Sequence, residues 1–493
     1  MSEDERGGRA WAWIAVIVGL LVMASLPGPG LAASPPNPCP LVPGASAPID
    51  SSMRLLAQPS PPRPLNPCPG FEWAKTFGTF GVHDAALSLD VTSDGGVAVL
   101  VRTHATGGAT VLRLDGEGTV LWQQTYAYPV ALDGDIQQTS DGGFIVALDS
   151  DSDDAYLVYR LDAFGNILWQ ALFDRPGVAT VSSIAETPDG GFVVGGTGLS
   201  ADGYSEDLWA LRLDSSGAVV WQRTFGGPGD DFALAGVLPT PDGGFVAAGT
   251  TVNNPYPSWV IKMDASGNIA WQKVYRGSEN FLVTSFQTTM DGGYIVAGRL
   301  GVGGGSSYKW AVMKLTATGG ITWQKTYGEA SGNQGSIIQT SDGGYVSSMG
   351  LWTAETRSDI GLLRLTATGS KVWQRTYGGP SDDNPCSPHC VQEAPDGNLL
   401  VAGNTHSFGT LGAGSGNLWH NSDAWVLRVF SDGTISSTCD PGFGTSLRTP
   451  NVQGSKIKAG SLVFTSSVPS MITFDPGVTA TPGSLVTMTQ CSA

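Results

Sequence analysis

Residues 336–348 read Ser-Ile-Ile-Gln-Thr-Ser-Asp-Gly-Gly-Tyr-Val-Ser-Ser, and residues 361–377 read Gly-Leu-Leu-Arg-Leu-Thr-Ala-Thr-Gly-Ser-Lys-Val-Trp-Gln-Arg-Thr-Tyr. Each half holds two short β-prone runs on either side of a turn. Asp342-Gly-Gly suits a type I turn followed by a left-handed residue, a conformation that glycine adopts without penalty. The segment therefore reads as four antiparallel strands in order. Working outward, the same turn begins at Asp94, Asp141, Asp189, Asp242, Asp291, Asp342 and Asp396, and all are Asp-Gly-Gly except the last, Asp396-Gly-Asn. Trp73, Trp122, Trp169, Trp221, Trp271, Trp323 and Trp373 precede those aspartates by 19–23 residues. A four-stranded unit repeated seven times at a period of about 50 residues predicts an all-β, seven-bladed β-propeller, because radial repetition leaves no long unprotected sheet edge.

Other positions keep the same frame. Asp115, Asp162, Asp214 and Asp264 stand three residues before Gly118, Gly165, Gly217 and Gly267, with tryptophan four further on. An aromatic follows each tryptophan by four: Phe77, Tyr126, Phe173, Phe225, Tyr275, Tyr327 and Tyr377. Residues required in every blade are expected to pack blade on blade, not to bind carbohydrate. Arg113, Arg160, Arg212, Lys262, Lys314, Arg364 and Arg428 share one position of the third strand, and five more Lys and Arg lie two after a tryptophan. Their stems are expected on aromatics and their heads in solvent. The turn aspartates read as turn formers. Seven sets of three strands run from about 84 to 430, but only six carry their own tryptophan strand. The Trp73 strand, within Phe71–Phe77, is expected to complete the seventh blade and lock the ring.

The domain reading is a signal peptide at 1–33, a Pro-rich linker at 34–69, the propeller at 70–439 and a Ser/Thr-rich β appendage or attachment tail at 440–493. The apolar run from Trp11 to Leu26 is short for the roughly 20 residues that span a bilayer, so cleavage near Ala32 or Ala33 is favoured over a retained anchor. This places the protein outside the cell, at its surface or in a periplasm, with no membrane insertion after cleavage. The net charge of −17 argues against nucleic acid and against an anionic membrane surface. Six cysteines suit an oxidising compartment. Cys386 and Cys390 are close enough to bridge a loop, and Cys68 with Cys439 is one of three pairings open to the four cysteines that flank the ring. A monomer is expected.

On a propeller, links between second and third strands emerge on one face with the blade-to-blade links, and variable loops on a rigid ring are where function is expected. Candidate ligand residues there are Asp230, Asp231, Asp382 and Asp383 in blade-to-blade links, and His406, Trp419 and His420 in the longest loop. Asp149, Asp151 and Asp153 alternate as calcium ligands do, but Asp154 and Arg160 occupy the places where a glycine and a bidentate glutamate belong. A solvated acidic loop is the preferred reading, so the expected cofactor is none, with calcium as the alternative. His389 between Cys386 and Cys390 suggests zinc less well than it suggests a disulfide-bridged loop. Nucleophile-elbow, zinc-protease and nucleotide-loop motifs do not occur in the sequence.

The consensus carried by Thr289-Met-Asp-Gly-Gly-Tyr-Ile-Val-Ala-Gly298 and Gly267-Asn-Ile-Ala-Trp-Gln-Lys273 resembles secreted bacterial tandem-repeat propellers. The resemblance implies a fold and a location more than an activity. The Asp-x-x-Gly-x-x-x-Trp element is also similar to the tryptophan-docking motif of quinoprotein propellers, whose eight blades and cofactor ligands are not matched. The function expected is a non-catalytic extracellular or cell-surface scaffold that engages a protein or glycan. The alternatives are a propeller enzyme, quinoprotein-like or glycan-cleaving, and a surface spacer without a ligand.

Overall fold

The structure, a computed structural model, describes residues 72–435 apart from links 79–82, 104–107, 127–132, 150–154, 175–179, 200–204, 228, 253–255, 278, 302–307, 331–334, 353–357, 380 and 409–421. It also describes the backbone of four short strands within 465–488. Residues 1–69, expected to be a signal peptide and a linker that includes Cys68, and Cys439 lie outside the described residues.

Seven antiparallel sheets follow one another along the chain. Blade 1 covers residues 84–126, blade 2 134–174, blade 3 180–226, blade 4 231–276, blade 5 281–330 and blade 6 337–377. Blade 7 takes its three inner strands from 383–429, and Trp73–Phe77 supplies its outer strand by pairing with Ala424–Arg428. The ring is therefore closed by the N-terminal strand, as the strand count predicted. The described apolar core is not one mass. It divides into seven clusters, each drawn from two neighbouring blades, so each wedge interface is a separate hydrophobic contact.

The tryptophans show why the repeat needs its second turn. In all seven interfaces the indole covers a glycine of the next blade (Gly118, Gly165, Gly217, Gly267, Gly319, Gly369 and Gly433). These glycines have φ of 71–84°, and a Cβ on them would stand 2.7–3.0 Å from the ring. Both facts exclude a side chain. In five interfaces the indole N–H also donates to a backbone carbonyl of that turn, at 3.0–3.1 Å.

The Asp-Gly-Gly turns carry an interaction that corrects the reading of the basic residues. Their heads are not in solvent. Arg113, Arg160, Arg212, Lys262, Lys314, Arg364 and Arg428 are buried or nearly so, and each pairs with the turn aspartate of its own blade at 2.5–2.9 Å. The turn threonine donates to the same aspartate in six blades. These bonds hold Asp242, Asp291 and Asp342 near a pKa of about 2. A hydrogen-bonded carboxylate at the surface thus neutralises a buried cation in every blade. Lys75 and Lys325 do meet the rings of Trp73 and Trp323, with Nζ 5.6 and 5.8 Å from the centroids, but their ammonium groups also donate to backbone carbonyls of the next blade's turn.

Four C-terminal strands, Thr465–Ser467, Ile472–Phe474, Ala480–Thr481 and Thr487–Met488, pair with the outer strands of blades 4, 3, 2 and 1 in that order. The segment thus adds a fifth strand to four successive blades.

Candidate functional site

The innermost strands line the ring's centre, and their side chains bond from blade to blade. Counting back from the turn threonine, the fourth residue receives an amide of the next blade. Ile184 N–H donates to Asp135, Val237 N–H to Ser183, Ile337 N–H to Ser285 and Val391 N–H to Ser336, at 2.7–3.1 Å. Two places further on the pattern repeats. Gln138 N–H donates to Asp90, Glu186 N–H to Gln137, Gln339 N–H to Gln287 and Val91 N–H to Gln392, at 2.6–2.9 Å. Next to these, Gln138, Glu186, Gln339 and Glu393 each accept the amide that follows the turn threonine (or its equivalent) in the preceding blade. The blades are thus tied around the centre by polar bonds that no single sheet contains.

Blade 7 interrupts this pattern. Its inner strand breaks between Pro385 and Val391, and Cys386–Cys390 forms a disulfide-bridged loop with Cα atoms 5.4 Å apart. The loop touches blade 1 through Leu89 N–H to His389 O at 3.0 Å. It touches blade 6 through Ser387 Oγ to Gly335 O, and blade 5 through Ser285 Oγ to Pro388 O. His389 Nδ1 reaches Asp135 Oδ2 of blade 2 at 2.9 Å. A five-residue loop therefore contacts four other blades across the centre of the ring.

Asp135 is 1% exposed and accepts from Ser88 Oγ, from the amides of Ile136 and Ile184, and from His389. Burial pushes the half-buried Asp90 up to about 6, against hydrogen bonds from the Gln138 amide and the Gln392 side chain, with the Asp135 charge adding to the rise. For His389 burial favours the neutral ring, but the charges of Asp135 and Asp90 and the bond to Asp135 outweigh it and raise its pKa. Asp90, Asp135 and His389 thus form a small cluster around the loop.

The residues singled out in the sequence are placed as follows. Asp231 and Asp383 are equivalent and fully buried. Asp231 accepts the Gly227 amide and the Thr251 hydroxyl, and Asp383 accepts the Gly379 amide and the Ser407 hydroxyl. Burial raises both pKa values. Asp230 accepts the Glu206 amide at 3.1 Å, and the backbone carbonyl of Asp382 receives His406 N–H at 3.1 Å. The two acidic pairs stand on blades 4 and 7, three blades apart. Asp149 is buried and accepts the Asp133 amide. Asp151, Asp153, Trp419 and His420 lie outside the described residues. Among the described residues no group of three His, Cys, Asp or Glu is arranged to hold a metal, and no helix is long and apolar enough to cross a membrane.

Sequence reasoning missed Asp90, Asp135 and the glutamine ladder. A signal was available, because Gln or an acidic residue stands one or two places before the turn threonine (or its equivalent) in six repeats: Asp90, Gln137, Glu186, Gln287, Gln339 and Gln392.

Comparison with known proteins gives one family match. The family described as outer membrane protein assembly factor BamB matches residues 157–404. No curated protein matches. Similar solved structures include a protein of unknown function from Bacteroides caccae, 13% identical with a TM-score of 0.36 over 60% of this chain and 94% of that one. A second is a protein of unknown function from Dyadobacter fermentans DSM 18053, 12% identical with a TM-score of 0.40 over 72% and 99%.

Proposed function

The chain belongs to the outer membrane protein assembly factor BamB family, and from that premise we propose that it is a non-catalytic binding scaffold. It works outside the cytoplasm, at the cell surface or in the periplasm, and holds a protein partner on the face that carries the links between second and third strands. The family's description favours a protein over a glycan. One observation carries the reading. Side chains of the innermost strands recur in inter-blade bonds, whereas the second-to-third-strand links depart from the repeat, from 104–107 in blade 1 to 406–422 in blade 7. Variation on a face that the fold does not need is where selection for a partner can act. The acidic links fit the same reading, because Asp231 and Asp383 brace the loop bases through backbone amides.

The test uses the full chain as bait for proteins of the parent cell's envelope, beside a variant whose residues 409–421 are replaced by a short Gly-Ser link. That replacement leaves Thr405, Ser407 and Ser422 in place. A partner retained by the natural chain and lost by the variant, with both melting alike, supports the scaffold. Equal retention by both, or none by either, refutes it.

A further inference from the structure

On the opposite face, where the Asp-Gly-Gly turns lie, a cleft of about 600 Å³ opens between blades 6 and 7. Its origin is legible in the repeat. In blades 2–6 the residue after the turn is aromatic: Phe144, Phe192, Phe245, Tyr294 and Tyr345. Each ring meets the docking tryptophan of the preceding blade edge-on, with centroids 5.3–6.1 Å apart. In blade 7 that residue is Leu399, so the indole of Trp373 has no edge-on partner from it and forms part of the cleft wall.

The other walls are charged. Asp342, Glu393 and Asp432 contribute three carboxylates, against the single guanidinium of Arg364, which is paired with Asp342. All three are already positioned by their turns: Asp342 by Thr340 and the Gly344 amide, Glu393 by the amide and hydroxyl of Ser341, Asp432 by Thr434. The Arg364 guanidinium with the Gly344 and Thr340 bonds holds Asp342 below the ordinary carboxylate range, and the Thr434 bonds with the Arg375 charge hold Asp432 there, so both are ionised at neutral pH. A preorganised cleft with an indole wall, whose three carboxylates outnumber the guanidiniums of Arg364 and, beside Asp432, Arg375, matches an organic cation, through cation–π attraction and Coulomb energy together.

We propose that the cleft between blades 6 and 7 binds an alkylammonium or alkylguanidinium group, carried either by a free amine or by a lysine or arginine side chain of a partner. The site lies on the face opposite the variable links, so it stands or falls independently of the scaffold reading.

The experiment titrates the full chain with agmatine and, separately, with the peptide Gly-Arg-Gly, following the Trp373 indole N–H by NMR after assignment with Trp373→Phe. Butanol is the neutral control. A saturable shift with the cations and none with butanol is expected. Leu399→Tyr introduces the aromatic of blades 2–6 and fills the cleft, and should weaken cation binding about tenfold or more while melting no lower than the natural chain. Asp432→Asn keeps an acceptor for Thr434 and removes one charge, so it should weaken binding about threefold and carries the test if Leu399→Tyr does not fold. Tighter binding of the peptide than of agmatine identifies a partner side chain as the source, and the reverse identifies a free amine. Absence of saturable binding, equal response to butanol, or undiminished binding in a folded Leu399→Tyr chain overturns the proposal.

Discussion

Blades 2–6 and blade 7 build the same turn from different residues, and the differences are coupled. In blades 1–6 the second glycine of Asp-Gly-Gly sits so close to the neighbouring strand that a Cβ there would lie 2.2–2.5 Å from a backbone oxygen or from the buried cation. In blade 7 that residue is Asn398, and Arg428 turns away from its own strand to donate to Gly95 O of blade 1 at 3.0 Å. The same blade replaces the aromatic with Leu399, bridges with the Cys386–Cys390 disulfide an inner-strand break that blade 4 leaves unbridged between Phe232 and Val237, and carries the longest link. It is also the blade completed by the other end of the chain. Where the ring has a seam, repeat-wide rules relax, and the freed positions carry cross-ring contacts and the cleft.

The comparison can be broken at four points, from the largest expected effect to the smallest. Trp73→Ala removes a 4%-exposed indole from the strand that closes the ring, and should lower stability by about 3–5 kcal/mol in urea unfolding. A loss below 1 kcal/mol would mean that the N-terminal strand does not hold the seam. Gly143→Asn forces into blade 2 the residue that blade 7 accepts, and should destabilise by about 2–3 kcal/mol. Asn398→Gly should stay within about 1 kcal/mol of the natural chain. Comparable losses in the two variants would remove the coupling between turn residue and cation.

A third point is the loop. Replacing Cys386 and Cys390 together by alanine releases a short closed loop and should cost about 2 kcal/mol. Chemical denaturation under non-reducing conditions reads this directly, and no change would show that the loop is held by its contacts alone.

The smallest effect is one of pH. Asp242, Asp291 and Asp342 have folded pKa values of about 2, below their ordinary 3.8, so their contribution is present above about pH 4 and is lost as pH falls toward 2. Asp90 and His389 act in the other direction. With Asp90 raised to about 6 from 3.8, the native state binds the extra proton, and stability from this group falls as pH rises from about 4 to 6. His389, raised above 6.5, contributes fully below 6.5 and loses its contribution as pH rises through its folded value. Asp90→Asn should flatten the dependence of Tm on pH between 4 and 6 and leave the decline above 6.5. An unchanged slope in the lower window would assign it to another group.

The sequence by itself determined the seven blades, the turn geometry, the tryptophan packing and closure by the N-terminal strand. Asp-Gly-Gly and the docking glycines impose left-handed backbone locally, and sevenfold repetition multiplies a signal that a single copy would leave ambiguous. The cation at the third strand was visible as a repeated position, but its partner was not, because pairing with the turn aspartate depends on how two strands 19–32 residues apart approach one another. The central cluster was less legible still. His389 and Asp135 are 254 residues apart and meet only when blade 7 is laid beside blade 1, so no local pattern encodes their bond. The cleft combines both levels: Leu399 breaks the repeat in plain sequence, but only the packing of Trp373 against Gly433 turns that break into a space. Local stereochemistry is written in neighbouring residues, whereas contacts across a ring are decided by closure.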